Sequence, residues 1–133
     1  MEAIISYTDG VRFEAECRGH RIITDQPPDK NGTDKGMTPP ELLLASLGTC
    51  AAHYAILYLD TRGLPTENLK VRVVAEGALQ PMRLSSFRIE VAVPELEPRH
   101  QEGVLRAVKN CMVHNTLLQA PAIETVLTSA AHS

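Results

Sequence analysis

Residues 38–65, TPPELLLASLGTCAAHYAILYLDTRGLP, decide the fold. Thr38 stands at an N-cap, Pro39 takes the first helical position, and Glu41 completes a Thr-x-x-Glu capping box. At the far end Arg62 falls in the last turn, Gly63 supplies a C-terminal cap and Pro65 blocks continuation. Between these signals the sequence predicts a helix of about 24 residues, ~36 Å long. It is apolar all round, so burial on every side is expected. One small sheet is not enough to cover it. Ala45, Ser46, Gly48, Thr49, Ala51, Ala52 and Ala55 are small enough to let another helix approach closely. A second copy of the chain is the economical source of that helix.

The segment 42–59 has no Asp, Glu, Lys or Arg and is at the short end of a membrane span. It includes Ser46, Gly48, Thr49, His53 and two tyrosines, and the rest of the chain reads as a sheet that needs a cover. The expectation is a buried helix of a soluble protein, with no membrane partner.

Outward from the helix, the pattern changes to period two. Val11, Phe13, Ala15 and Cys17 alternate with Arg12, Glu14, Glu16 and Arg18, as in a half-buried strand. Asp9-Gly10 is a turn signal, so residues 3–7 and 11–17 are expected as a hairpin, with 21–24 as a third strand. Residues 25–37 read as a loop. Beyond the helix, Leu69, Val71, Val73 and Ala75 define a long strand, and Phe87, Ile89, Val91 and Val93 another, joined by a loop over 80–85. A second helix starts near Pro98 with Val104, Val108 and Cys111 on one stripe, Cys111 lying near its end or at a break. Residues 123–128 read as a last short strand. The order predicts a single α+β domain over 1–133 with mostly antiparallel pairing.

A chain of 133 residues is large enough to bury roughly 65–70% of its unfolded surface. Its 13 basic and 16 acidic residues are interspersed, with no basic stripe to neutralise phosphates, so no nucleic-acid partner is expected. The opening MEAIISYTDG lacks the features of a signal peptide. Three cysteines, an odd number, point to reduced thiols and a cytoplasmic location.

Two of those cysteines carry the chemistry. Cys50 and Cys111 both lie in apolar helical sequence, and each is followed by a histidine three residues on, His53 and His114. The repeated spacing suggests one shared site. Three readings compete: redox thiols, a Cys₂His₂ metal site, and inert core cysteines. Structural zinc sites draw their ligands from short knuckles and loops, so a cysteine within an apolar helix is poorly placed, and no metal is expected. Cys17 reads as filler on the apolar hairpin face, His53 as an interior histidine between helices, and His114 as a neighbour able to activate Cys111. His20, His100 and His132 carry no assignment.

The Pro-Glu-Leu-Leu helix start (Pro40 to Leu43), Cys50 nine residues past Glu41, and Cys-x-x-His-Asn-Thr-Leu from Cys111 to Leu117 resemble the OsmC/Ohr family of osmotically inducible and organic hydroperoxide resistance proteins. Arg18-Gly-His and Asp25-Gln-Pro fit as well, especially to its YhfA-like branch. The resemblance runs through the chain in order and spacing. It implies a mostly antiparallel sheet wrapped around a long buried helix, in an intertwined homodimer with its sites at the subunit interface. It also implies a peroxidatic thiol at Cys50 and a resolving thiol at Cys111, an organic hydroperoxide substrate, an external dithiol reductant and no cofactor.

The sequence departs from that pattern twice. The family's glutamate, ten residues before the first cysteine, is matched here by Pro40; Glu41 is displaced by ~100° around the helix and already serves the cap. The family's thiolate-stabilising arginine has three candidates, Arg12, Arg18 and Arg21. Glu41, Arg18 and His114 therefore stand as auxiliary candidates beside Cys50 and Cys111. A non-enzymatic alternative is a dimer that binds a small lipid-like ligand in an interfacial apolar cavity.

Overall fold

The computed structural model describes residues 1–129, so His132 lies outside the described residues. The chain forms two compact units, Met1–Leu42 with the segment from Glu124, and Leu43–Ile123.

The first unit is a three-stranded antiparallel sheet in the order β1 (Ile4–Asp9), β2 (Arg12–Cys17), β3 (His20–Thr24). Its register pairs Ile5 with Ala15, Tyr7 with Phe13 and Ala15 with Ile22, which places these apolar side chains on one face. That face stays open: Ile5, Tyr7, Phe13 and Ile22 are all exposed. The loop that follows is tied down by Asp25, whose carboxylate accepts from the backbone N–H groups of Gln26, Thr33 and Lys35 and from the Thr33 hydroxyl at 2.6 Å. Asp25 is 2% exposed. The Thr33 hydroxyl bond, opposed by burial and reinforced by the backbone donors, holds its pKa down at about 2.

The helix α1 (Pro39–Thr61) begins on the expected capping box. Thr38 N–H donates to Glu41 Oε1 at 2.9 Å and Glu41 N–H donates to Thr38 Oγ1 at 3.3 Å. Its C-terminus closes with Gly63 at φ 66°, Gly63 N–H on Asp60 O and Leu64 N–H on Leu59 O, the paired bonds of a Schellman cap. Arg62 lies just past the last helical turn, its guanidinium over the Tyr58 ring at 3.7 Å.

In the second unit, β4 (Lys70–Ala78) and β5 (Arg83–Ala92) form an antiparallel pair. Val71 faces Val91, Val73 faces Ile89 and Ala75 faces Phe87, so one face of the hairpin is apolar. On the other face Arg72 and Arg88 both bond Glu90, which lowers its pKa. Against the apolar face packs a core of Ala51, Ala55 and Leu59 from α1 with Val104 and Val108 from α2 (Gln101–Val108). At Gly48 an added Cβ would lie 3.0 Å from Val73 Cγ2, so glycine lets helix and strand approach closely there. The helix α3 (Met112–Leu118) follows after a two-residue turn and Cys111.

The α+β, antiparallel architecture agrees with expectation, and three details correct it. In the single chain α1 buries one stripe, Leu47, Ala51, Ala55 and Leu59, not all sides; Thr49, His53 and Leu57 are exposed, because one hairpin and two short helices cover one face. By length and composition α1 is also, among the described residues, the one helix able to cross a membrane. The β4–β5 strands run further than expected, back to Arg83, because Ser86 pairs with Glu76 and Leu84 with Gly77; Ser85 sits at a bulge between them, its hydroxyl donating to Glu76 O. Residues 123–128 form no strand: Ile123, Val126 and Leu127 are exposed, with no ladder partner among the described residues. The helix around Cys111 divides in two at that residue, one of the two placements expected for it.

Candidate functional site

Cys50 sits midway along α1, on the flank of the buried stripe beside Leu47, and is half-buried. Cys111 is held differently. The chain leaves α2 at Val108, turns through Lys109 and Asn110, and adopts an extended conformation at Cys111, with φ −61° and ψ 131°. That conformation makes Cys111 the N-cap of α3. Its Sγ accepts a hydrogen bond from His114 N–H at 3.4 Å, and its carbonyl accepts from Asn115 N–H at 3.0 Å. Sulfur here fills the role that a serine or aspartate oxygen normally plays. The side chain is fully buried.

These two local structures bring Cys50 and Cys111 together as a disulfide, with Cα atoms 5.8 Å apart, inside the range a disulfide spans without backbone movement. The bond joins residues separated by 61 positions, fastening the α2–α3 junction to the middle of α1. Cys17, expected as buried filler, is exposed and unbonded, since its strand face is open in the single chain. His53, expected in the interior, is exposed, stacked edge-on against Tyr54 at 5.3 Å. No group of three or more His, Cys, Asp or Glu among the described residues is arranged to hold a metal ion.

Next to the cysteine pair lies a pocket of about 380 Å³. Leu47, Leu84, Phe87, Ile89, Leu117 and Leu118 give it apolar walls; Ser85, Ser86 and His114 add polar groups, and no charged side chain lines it. Neither cysteine lines it; Leu47 is one helical turn from Cys50, and His114 one turn from Cys111, so the pocket meets each half of the site through one neighbouring residue. The His114 Nδ1 atom is buried with no hydrogen-bond partner among the described residues. The sequence marked Cys50, Cys111 and His114, but nothing in it distinguished these wall residues from ordinary core positions.

The remaining candidates belong to the first unit and are accounted for locally. Glu41 is exposed and bonded to Thr38, first through the Thr38 N–H and then its hydroxyl, and these bonds lower its pKa. Arg18 is exposed in the β2–β3 turn at φ 54°. Arg12 pairs with Asp9 and with the Thr8 hydroxyl, and Arg21 with Glu14 and Glu16, as charges on a solvated sheet do.

Residues 32–126 match the family model described as OsmC-like protein. Among solved structures, a protein from Psychrobacter arcticus described as an osmotic stress induced and detoxification response protein superposes with a TM-score of 0.78 at 23% identity, over 86% of this chain and 85% of that one. An OsmC-like protein from Mycoplasma pneumoniae gives a TM-score of 0.74 at 21% identity, covering 90% and 87%. A protein from Legionella pneumophila described as an organic hydroperoxide resistance protein gives 0.60 at 14% identity, covering 88% and 89%. These likenesses show the fold. None of the curated proteins matches the chain significantly.

Proposed function

The chain belongs to the OsmC-like protein family, and from that premise we propose that it reduces organic hydroperoxides through the Cys50–Cys111 thiol pair. The observation that carries this reading is the 5.8 Å Cα separation of two cysteines far apart in sequence, beside an apolar pocket. The Cys50 thiolate attacks the terminal oxygen of ROOH; the S–O bond forms, the O–O bond breaks, and ROH leaves after gaining a proton. Cys50 is now a sulfenic acid. Cys111 attacks that sulfur, the disulfide forms and water leaves. An external dithiol then exchanges with the disulfide, itself becoming oxidised and restoring both thiols. The half-buried Cys50 is the sulfur that incoming peroxide reaches; the fully buried Cys111 waits within bonding reach.

The working form in this reading is a homodimer in the cytoplasm, where dithiol reductants are maintained. Its support is the open apolar face of the first sheet, the uncovered side of α1 at Thr49, His53 and Leu57, and a groove beside the helix bordered by Leu44, Ala45, Ala52 and Leu69.

Turnover of cumene hydroperoxide with a small dithiol tests the activity. Cys50→Ser abolishes it. Cys111→Ser permits one round, leaving a sulfenic acid on Cys50 that dimedone traps and excess peroxide drives to the sulfinic acid. If the wild-type protein oxidises no dithiol and forms no peroxide-dependent disulfide, the activity is refuted. The apolar pocket then favours the second reading, a binder of a small lipid-like ligand, recoverable from purified protein by mass spectrometry.

A further inference from the structure

A buried imidazole nitrogen without a partner is unusual. Leaving a buried polar atom unsatisfied costs about 1–3 kcal/mol, so nearly all such atoms find a partner. His114 Nδ1 is such an atom, and the pocket its residue lines holds no carboxylate to receive it. His114 is at the same time fixed to the redox pair, since its own backbone N–H donates to Cys111 Sγ at 3.4 Å. Its imidazole is thus the ionisable group of a cavity otherwise walled by Leu47, Phe87, Ile89, Leu117 and Leu118.

The peroxidase cycle, on which this argument rests, needs a proton at one point. An alkoxide is a poor leaving group unless it is protonated as the O–O bond breaks. Glu41 is engaged in its cap, and Arg12 and Arg21 are engaged with acidic neighbours on their own sheet. We propose that His114 is the general acid of this site: with Cys50 already a thiolate, the protonated imidazole delivers its proton to the departing oxygen of an organic hydroperoxide whose apolar group fills the pocket. The balance closes. The Cys50 thiolate gains the terminal OH as the O–O bond breaks, the peroxide's other oxygen accepts the imidazolium proton, and the products are sulfenic acid, alcohol and neutral imidazole, which regains a proton from water.

The test varies the leaving group. A peracid releases a carboxylate, which departs without a proton; an alkyl hydroperoxide does not have that option. The probes are cumene hydroperoxide and perbenzoic acid, reacted in single turnover with reduced wild-type protein and His114→Asn. Asparagine keeps a hydrogen-bonding group near the Nδ1 position but cannot carry the proton. The expected result is a loss of about 10²-fold or more with the alkyl hydroperoxide and less than about fivefold with the peracid. Disulfide formation with diamide, unchanged in the variant, shows that the cysteine pair is still in place. If that control fails, His114→Gln is compared in the same way. Equal slowing by both oxidants, or no slowing by either, overturns the role of His114 while leaving the peroxidase reading intact. A wild-type protein that reacts with neither oxidant overturns both.

Discussion

Oxidation of the Cys50–Cys111 pair should stabilise the second unit, by an amount that follows from the position of the two residues in the chain. They are 61 positions apart, and closing a loop of that length in the unfolded state removes conformational entropy worth about 4 kcal/mol at 25 °C. For a chain of 133 residues the unfolding entropy is about 0.28 kcal/mol/K, so the Tm difference between oxidised and reduced protein should be ~15 °C. The assay is thermal unfolding at fixed protein concentration, because association would itself shift the Tm. One sample is treated with one equivalent of cumene hydroperoxide, and the other is held in excess phosphine reductant. Intact mass must confirm that the oxidised sample has lost two hydrogens. Cys50→Ser and Cys111→Ser should each melt like the reduced wild type, and Cys17→Ser should retain the full difference, since Cys17 lies outside the pair. A confirmed disulfide with a Tm gain below about 3 °C would refute the loop-entropy reasoning. It would mean that residues 50–111 stay associated in the unfolded ensemble, or that the oxidised form carries a compensating cost.

Glu41→Gln should leave the Tm and the peroxide rate nearly unchanged, because glutamine still completes the capping box, whereas Thr38→Ala should cost about 1 kcal/mol; a large rate loss in Glu41→Gln at constant Tm would make Glu41 catalytic. The Asp25 carboxylate titrates at about 2 instead of its ordinary 3.8, so the unfolded chain binds its proton first as pH falls. Its hold on the 25–37 loop should therefore be complete above pH ~4 and be lost as pH drops towards 2. Hydrogen exchange at the Gln26, Thr33 and Lys35 amides should speed up over that range, and Asp25→Ala should show the fast exchange at neutral pH; unchanged exchange in the variant would sink this account. Light scattering should give twice the chain mass at micromolar concentration, and a well-folded monomer would contradict the homodimer.

The parts of the fold legible in the sequence are those set by neighbours in the chain. The Thr38–Glu41 box and the Gly63 cap depend on residues within one turn of each other, so local sequence alone bounds α1 to within a residue or two. The β4–β5 core face was legible for the same reason: the alternation of Val71 and Val73, and of Phe87, Ile89 and Val91, is local. What failed was whatever needed a partner to decide. Residues 123–128 have the composition of a strand, but a strand is a pairing, and among the described residues Ile123 to Leu127 join no ladder. Burial failed similarly. An apolar stripe states what a face prefers to contact, and α1 and the first sheet have more such faces than one chain covers.

The site shows the same division at finer scale. Identical Cys-x-x-His spacing made Cys50 and Cys111 look equivalent, yet the structure gives them opposite settings. Cys50 is a residue within a continuous helix, half-buried, with its histidine turned out to solvent. Cys111 ends one helix, caps the next and is fully buried, with its histidine against the pocket. The turn at Lys109 and Asn110 makes the difference, because it converts an interior helical position into an N-cap, where the side chain receives the His114 N–H. That asymmetry is what the two successive reactions of the proposed peroxidase cycle require. The first sulfur must meet a substrate arriving from outside. The second must be excluded from that encounter and still lie within bonding distance of the first. A pair placed symmetrically would expose both thiols to peroxide, and over-oxidation would compete with disulfide closure at each.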